Sequence, residues 1–263
     1  MSETTDIRST VREKYGAIAE GAKVGAGGCC GSDCCGGTGD ILTEIGYSKE
    51  QAAAIPEGSD LGLGCGNPLA YAAVKPGETV LDLGSGAGID CFLAARETGS
   101  TGRVIGVDMT PAMLEKARKN LAKSEFKNIE FRLGEIEHLP VSDASVDVII
   151  SNCVVNLSPD KPQVFREALR VLKAGGRLLV SDLVLTRPLT PEMQQNVDLY
   201  VGCVAGASLK KEYLGLMRDA GFKDVEIVNE TSYTVGATEL PEGSAERDAF
   251  NSVVSVKVRA RKA

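Results

Sequence analysis

Between residues 79 and 185 the apolar positions follow two alternating periods. ETVLDLG is a short apolar run closed by a glycine, which reads as a buried strand. IDCFLAARE follows, with Ile89, Phe92, Leu93 and Arg96 at helical spacing. RVIGVD is a second apolar strand. PAMLEKARKNLA is a helix with Pro111 in its first turn after Thr110, and Met113, Leu114, Ala117 and Leu121 on one face. NIEFRLG alternates as a half-buried strand does, and VDVIISNC reads as a buried one. KPQVFREALRVL is a helix, expected to stop at Lys173, Ala174 and the Gly175–Gly176 pair, before a strand over RLLVSDLVL. Strand and helix in strict alternation predict a parallel sheet with crossover helices.

The flanks are less regular. Residues 8–20 read as a helix ending near Gly21. The stretch 25–39, GAGGCCGSDCCGGTG, has almost nothing to bury and reads as a mobile loop. SKEQAAAI is a short helix with Ser48 as N-cap and Gln51 completing a capping box. LGLGCGNP is too rich in turn residues for a regular element. Further on, PEMQQNVDLYVGCVAGA reads as one helix running into a Gly/Ala turn, and SLKKEYLGLMRDAGF as a helix capped by Ser208. DVEIVN and NSVVSVKVRA bring the expected strands to seven, the last set antiparallel beside the parallel ones. The organisation expected is an N-terminal segment 1–75 with helices and a Cys-rich arm, a cofactor-binding core 76–185, and a C-terminal segment 186–263 that completes the sheet and the thiol site. No internal repeat is visible.

Composition narrows the function. A net charge of −7 over 263 residues argues against nucleic acid or an anionic membrane as partner. No apolar run reaches the roughly 18 residues of a membrane span. MSETTDIRSTVREKYG lacks the apolar stretch of a secretory signal, so a cytoplasmic location is expected. There thiols stay reduced, and the eight cysteines read as ligands or redox groups rather than structural disulfides. The single histidine, His138, stands before Leu139 and Pro140 and reads as a surface loop residue. One histidine excludes multi-histidine metal sites and argues against a Ser-His or Cys-His hydrolase.

The cofactor signal is Val80–Gly88, VLDLGSGAG. A strand ends in Gly84, Ser85, Gly86, Ala87 and Gly88, where the glycines permit a tight turn and a close ligand approach. Asp108 stands about twenty residues on, at the end of the second strand, placed to accept from both ribose hydroxyls. The third glycine comes one residue early for a dinucleotide fingerprint. Asp82 suits an ammonium group, held through an ordered water, better than a pyrophosphate. The combination favours S-adenosylmethionine over a nicotinamide cofactor.

The acceptor chemistry is sought at the end of the fourth strand, across the crevice from the first. It reads Ser151-Asn152-Cys153-Val154-Val155-Asn156-Leu157 and offers a thiol rather than a base. Cys65 in GCGNP and Cys203 in GCVAGA sit between glycines or small residues, where a loop can bring sulfur to a ligand. Three converging thiolates form a trigonal cup. Trivalent arsenic fits it and keeps a lone pair, whereas zinc wants four ligands. The alternative left open by the residues is that Cys153 and Cys203 are small packed core side chains. Cys91 reads as a packed residue.

Residues 79–184 resemble the core of the class I S-adenosylmethionine-dependent methyltransferases, through GETVLDLGSGAG, GVDMTPAMLEKAR, GEIEHLP and RVLKAGGRLLVSDL. The resemblance implies a Rossmann-like α/β fold: a seven-stranded, mostly parallel sheet with helices on both faces, here with the Cys-rich arm and an α+β C-terminal segment. It implies Ile136 and Glu137 at the adenine, and Met109 and Thr110 flanking ribose and base. Read without it, Glu135 and Glu137 would be a solvated loop pair. The whole chain is similar to the arsenite methyltransferases, through GLGCGNP, DLGSGAGIDCFLAA, GVDMT, SNCVVNLSPDK, VLKAGG and GCVAGA. SNCVVNL followed by PDK is the most specific of these.

That resemblance implies arsenic held by Cys65, Cys153 and Cys203, with no further metal, Tyr15 covering the cofactor, and Asn152 near its methyl or methionine part. It implies arsenite or its thiol conjugates as substrate, mono- and dimethylated products in a detoxification role, and a fourth, N-terminal thiol for substrate capture and redox turnover. This chain offers Cys29, Cys30, Cys34 and Cys35 where the family has one cysteine or a spaced pair; Cys34 and Cys35 are preferred. A disulfide between Cys65 and these N-terminal thiols is expected to return electrons to arsenic, with thioredoxin or glutathione as the external reductant. Nothing demands more than a monomer. Two rival readings stand beside this one: a methyltransferase acting on carbon or oxygen of a small acceptor such as a quinone ring, and a thiol-based metal-binding protein.

Overall fold

The computed structural model describes residues 7–21, 42–43, 45–233 and 242–263. The elements are α1 (Ile7–Ala19), α2 (Lys49–Ala54), α3 (Leu69–Ala72), β1 (Thr79–Leu83), α4 (Ile89–Thr98), β2 (Arg103–Asp108), α5 (Pro111–Ala122), β3 (Ile129–Leu133) and β4 (Val146–Asn152). They continue with α6 (Lys161–Val171), β5 (Leu172–Leu185), α7 (Pro191–Gln194), α8 (Val197–Val201), α9 (Lys210–Asp219), β6 (Lys223–Ser232), α10 (Ala245–Phe250) and β7 (Val253–Arg261).

Among the described residues the strands form one sheet in the order β3-β2-β1-β4-β5-β7-β6. The first five are parallel, with Val80 opposite Val104 on one side and Val148 on the other. β7 runs antiparallel between β5 and β6. The parallel strands are near-continuous apolar runs because both faces are covered. Alternate residues point to opposite faces. Leu81, Leu83, Ile105 and Ile149 pack with Phe165, Tyr213 and Met217 on one side. Val80, Val104, Val148 and Ile150 pack with Phe92 and Leu114 on the other. Fully burying each such side chain stabilises by about 1.5–3 kcal/mol.

The core follows the sequence pattern, and the departures lie at junctions. α2 has its capping box: Ser48 Oγ accepts from Gln51 N at 3.1 Å, and Gln51 Oε1 accepts from Ser48 N at 2.9 Å. α6 ends at Val171 and passes directly into β5, so Lys173–Gly176 belong to the strand rather than to a loop. The glycine pair continues the ladder because Gly175 N donates to Lys262 O at 3.1 Å and Lys262 N to Gly176 O at 2.9 Å. The single helix expected from Pro191 is two short ones, because the Asn196 side chain accepts from Leu199 N at 2.9 Å and starts a new helix. α9 begins at Lys210 with Leu209, not Ser208, at its N-cap. Ser208 is drawn off to β5, where its carbonyl accepts from Leu185 N at 2.9 Å. α3 and α10 were not anticipated. No helix among the described residues is long and apolar enough to cross a membrane.

Candidate functional site

A crevice opens at the carboxyl ends of β1, β2 and β4, where the strand order reverses. Its floor is the turn after β1. Gly84 and Gly86 hold φ of 69° and 52°, conformations that glycine adopts without strain. A Cβ on Gly84 would also fall 2.7 Å from Val154 Cβ. Asp108 closes the turn: its Oδ2 accepts from Gly86 N at 2.9 Å and its Oδ1 from Thr110 N at 2.8 Å. Asp82, Ser85, Met109, Ile136 and Glu137 also face the crevice, and α1 walls it with Arg8, Val11 and Tyr15. Of the cofactor residues expected from sequence, Gly88 alone does not line it. Gly88 instead starts α4 at φ 101°, with Phe92 and Phe131 too close for a Cβ.

Glu137 is not a solvated loop residue. It is buried, accepts from Ser158 Oγ at 2.6 Å and pairs with Arg8 Nη2 at 3.1 Å. Glu135, half-buried, meets Arg12 at 3.4 Å. His138 is exposed, as expected.

The electrostatics of the crevice call for a cation. Asp82, Asp90 and Asp108 are all buried, and burial pushes all three carboxyls upward, with Asp90 reaching about 6. Neighbouring Asp90 raises Asp82 further. No lysine or arginine among the described residues offsets these shifts. Asp82 takes a hydrogen bond from Cys91 Sγ at 3.2 Å, so that packed thiol serves the carboxylate. The Ser59 and Ser85 hydroxyls, both lining the crevice, are buried without a hydrogen-bond partner. Both hydroxyls are placed to meet a polar ligand in the crevice. A group with an ammonium, a sulfonium and ribose hydroxyls matches this donor and charge set.

Below the crevice lies an apolar cluster that contains Cys65, Cys153 and Cys203, buried with Leu157, Leu183, Met193 and Phe250. The three cysteines come from three segments. Cys65 rides the turn before α3, Cys153 follows β4, and Cys203 follows α8. Cys153 lines the crevice; Cys65 and Cys203 do not. Cys203 Sγ donates to the Cys153 carbonyl at 2.9 Å. Cys153 and Cys203 both hold left-handed backbone, at φ 55° and 63°. The Gly202–Ala207 loop is pressed against the chain after β4: a Cβ on Gly206 would lie 2.2 Å from Asn156 O.

Cys65 and Cys153 are joined by a disulfide, with Cα atoms 5.9 Å apart. This corrects the expected pairing of Cys65 with the N-terminal thiols. Cys29, Cys30, Cys34 and Cys35 lie outside the described residues. The correction has a physical cause: the Cys65 turn is fastened to Asn152, the residue next to Cys153, through Cys65 N and Asn152 Oδ1 at 3.1 Å.

Comparison with known proteins places this arrangement. The family profile described as "Methyltransferase domain" matches residues 74–221. An arsenite methyltransferase of Halobacterium salinarum is 49% identical over 267 residues, covering 98% of this chain and 67% of its own. The chain belongs to the arsenite methyltransferase family. Its cofactor is S-adenosylmethionine. The human arsenite methyltransferase is 39% identical over 170 residues, 61% of this chain and 45% of that protein. The crystal structure of an arsenic(III) S-adenosylmethionine methyltransferase from Chlamydomonas reinhardtii superposes with a TM-score of 0.64. It is 34% identical and is covered to 72%, with 84% of this chain. The chain thus spans two thirds of the haloarchaeal relative and under half of the human one.

The crevice lining that the sequence did not nominate includes Arg8, Tyr47, Asp90 and Ser158. Tyr47 OH donates to Asp90 Oδ1 at 2.8 Å, and burial with the Asp90 charge pushes its phenol upward. Asp90 carried a usable signal, an acid in the first turn of the helix after the glycines. Tyr47 carried none, because its partner is 43 residues away.

Proposed function

We propose that the chain transfers methyl groups from S-adenosylmethionine to trivalent arsenic held by the thiolates of Cys65, Cys153 and Cys203, in the service of arsenic detoxification. The supporting observation is the convergence of these three cysteines in one buried cluster, with Cys153 opening on the cofactor crevice. Tyr15, Met109, Thr110, Ile136 and Glu137 would enclose the nucleoside, and Asp108 would take its ribose. Asp82 and Asp90 would balance the cationic methionine end. When bound, the cofactor supplies an electrophilic methyl group on a sulfonium.

Arsenite enters by exchanging its hydroxyls, or the small thiols of a conjugate, for protein sulfurs. The nucleophile is then the arsenic lone pair, which carries no proton. The site therefore needs no general base, in keeping with the exposed His138. What the protein contributes is alignment and exclusion of water. Val154 and Leu157 line the crevice beside Cys153, and α1 covers it.

Methylation raises arsenic to the pentavalent state. Two electrons from the Cys65 and Cys153 sulfurs would return it to trivalent and leave these two as a disulfide. A dithiol such as thioredoxin, or two glutathiones, would then reduce that disulfide and restore both thiols. Cys34 and Cys35 would hand over substrate or electrons, allowing a second methylation.

The test is incubation of the protein with arsenite, S-adenosylmethionine and a dithiol, with product speciation over time. Mono- followed by dimethylated arsenic is expected. Cys153→Ser should abolish both products while leaving cofactor binding intact. Arsenite turnover unchanged in that variant, or no methylated arsenic from the parent, would overturn the reading.

A further inference from the structure

We infer that Asn152 is a positioning residue for the Cys65–Cys153 pair, holding the turn that carries one sulfur against the strand end that carries the other. This goes beyond contact with the cofactor. It rests on the reading of Cys65 and Cys153 as a working pair.

The Asn152 carboxamide bridges two backbone groups of the Cys65–Gly66 turn. Its Oδ1 accepts from Cys65 N at 3.1 Å, and its Nδ2 donates to Gly66 O at 2.7 Å. An amide nitrogen has two hydrogens. The second faces the Asp90 carboxylate at 3.2 Å and the Tyr47 hydroxyl at 3.1 Å. Tyr47 in turn donates to Asp90, so the amide is oriented from the crevice side by a closed set of three groups. The sequence makes room for it at Gly64, where a Cβ would sit 2.9 Å from Asn152 Nδ2. Gly64 has no positive φ, so close approach is what this glycine provides. Asn152 ends β4 and Cys153 is the next residue, so the amide that fixes Cys65 is covalently attached to its partner. The carboxamide thereby sets the separation of the two sulfurs and links it to the carboxylate that faces the cofactor.

The quantity to measure is the equilibrium of this disulfide with glutathione. Two glutathione thiols supply two electrons and two protons, the Cys65–Cys153 bond becomes two thiols, and one oxidised glutathione forms. The full chain is equilibrated in glutathione buffers, alkylated, and the Cys65 and Cys153 peptides are quantified by mass spectrometry. Removing a half-buried amide that satisfies two backbone groups should make the disulfide about tenfold easier to reduce in Asn152→Ala. Gly64→Ala, which keeps every hydrogen-bonding group and displaces only the amide, should shift it in the same direction. The double variant should be no worse than Asn152→Ala alone, because both changes act through one contact. Gly64→Ala provides the reading should Asn152→Ala lose cooperative melting.

A purely cofactor-binding role predicts no effect on this equilibrium. An equilibrium within about twofold of the parent in a folded variant, or strictly additive effects of the two substitutions, would overturn the inference. The measurement contains neither arsenic nor methyl donor, so its failure is distinct from failure of arsenite methylation.

Discussion

Cys153 and Cys203 hold φ of 55° and 63°, conformations that cost an L-residue about 1–2 kcal/mol. Glycine would adopt either conformation with less strain. Cys203→Gly should therefore melt no lower than Cys203→Ala, while both lose arsenite methylation. Thermal melts of the two variants check this, and a glycine variant melting clearly below the alanine one would contradict it. Asp90 sets a pH dependence. Its carboxyl is raised by burial to about 6, so in the free protein it is protonated below that value. A cationic ligand binds the ionised form, so the Kd for S-adenosylmethionine should fall as pH rises from about 5 to about 7 and level off above. Asp90→Asn should flatten that profile in calorimetric titrations. The stability sign is opposite: between the ordinary carboxyl value and about 6 the folded chain binds the extra proton, so this group's contribution declines as pH rises through that window.

α1 is one wall of the site. It reaches the crevice with Arg8, Val11 and Tyr15 and is tied down by Arg8 to buried Glu137 and by Tyr15 OH to Val201 O at 3.2 Å. Glu137→Gln keeps an acceptor for Ser158 but removes the charge that holds Arg8. Cofactor binding should weaken about three- to tenfold, the range of a half-exposed ion pair with one buried partner. Unchanged affinity would show that the Arg8–Glu137 pair does not hold α1 for cofactor binding. β7 carries a second test. Lys257 is buried on it, its ammonium pushed downward by desolvation, with Ser255 Oγ at 3.1 Å and no carboxylate partner among the described residues. Lys257→Met should raise the melting temperature by a few degrees, because burying an unpaired charge is costly. At this scale the sequence was readable wherever one period ran unbroken, as in β1 to α6. It was not readable where a side chain bonded to a distant backbone. Asn196 restarts a helix inside an apolar run, and Ser208 is claimed by β5 before it can cap α9.

The whole molecule places its chemistry at the point where the strand order reverses between β1 and β4. The crevice side of the site is local in sequence, built from the turns after β1 and β2, so its lining could be nominated from the sequence. The thiol side is assembled from segments far apart in the chain. Cys65 and Cys153 are separated by 88 residues, and no spacing rule discloses that they, rather than Cys65 and the N-terminal quartet, are bonded. The three cysteines could be nominated from their flanking small residues. Their shared burial depends on tertiary packing that brings three separate segments into one cluster.

The most direct test of the proposed arsenic site is X-ray absorption at the arsenic edge. It requires reduced protein in which Cys29, Cys30, Cys34 and Cys35 are all serine, loaded with arsenite. Three sulfur neighbours on arsenic are expected, falling to two and one oxygen when Cys203 is also serine. An arsenic shell dominated by oxygen, or one indifferent to the Cys203 substitution, would contradict the proposed site.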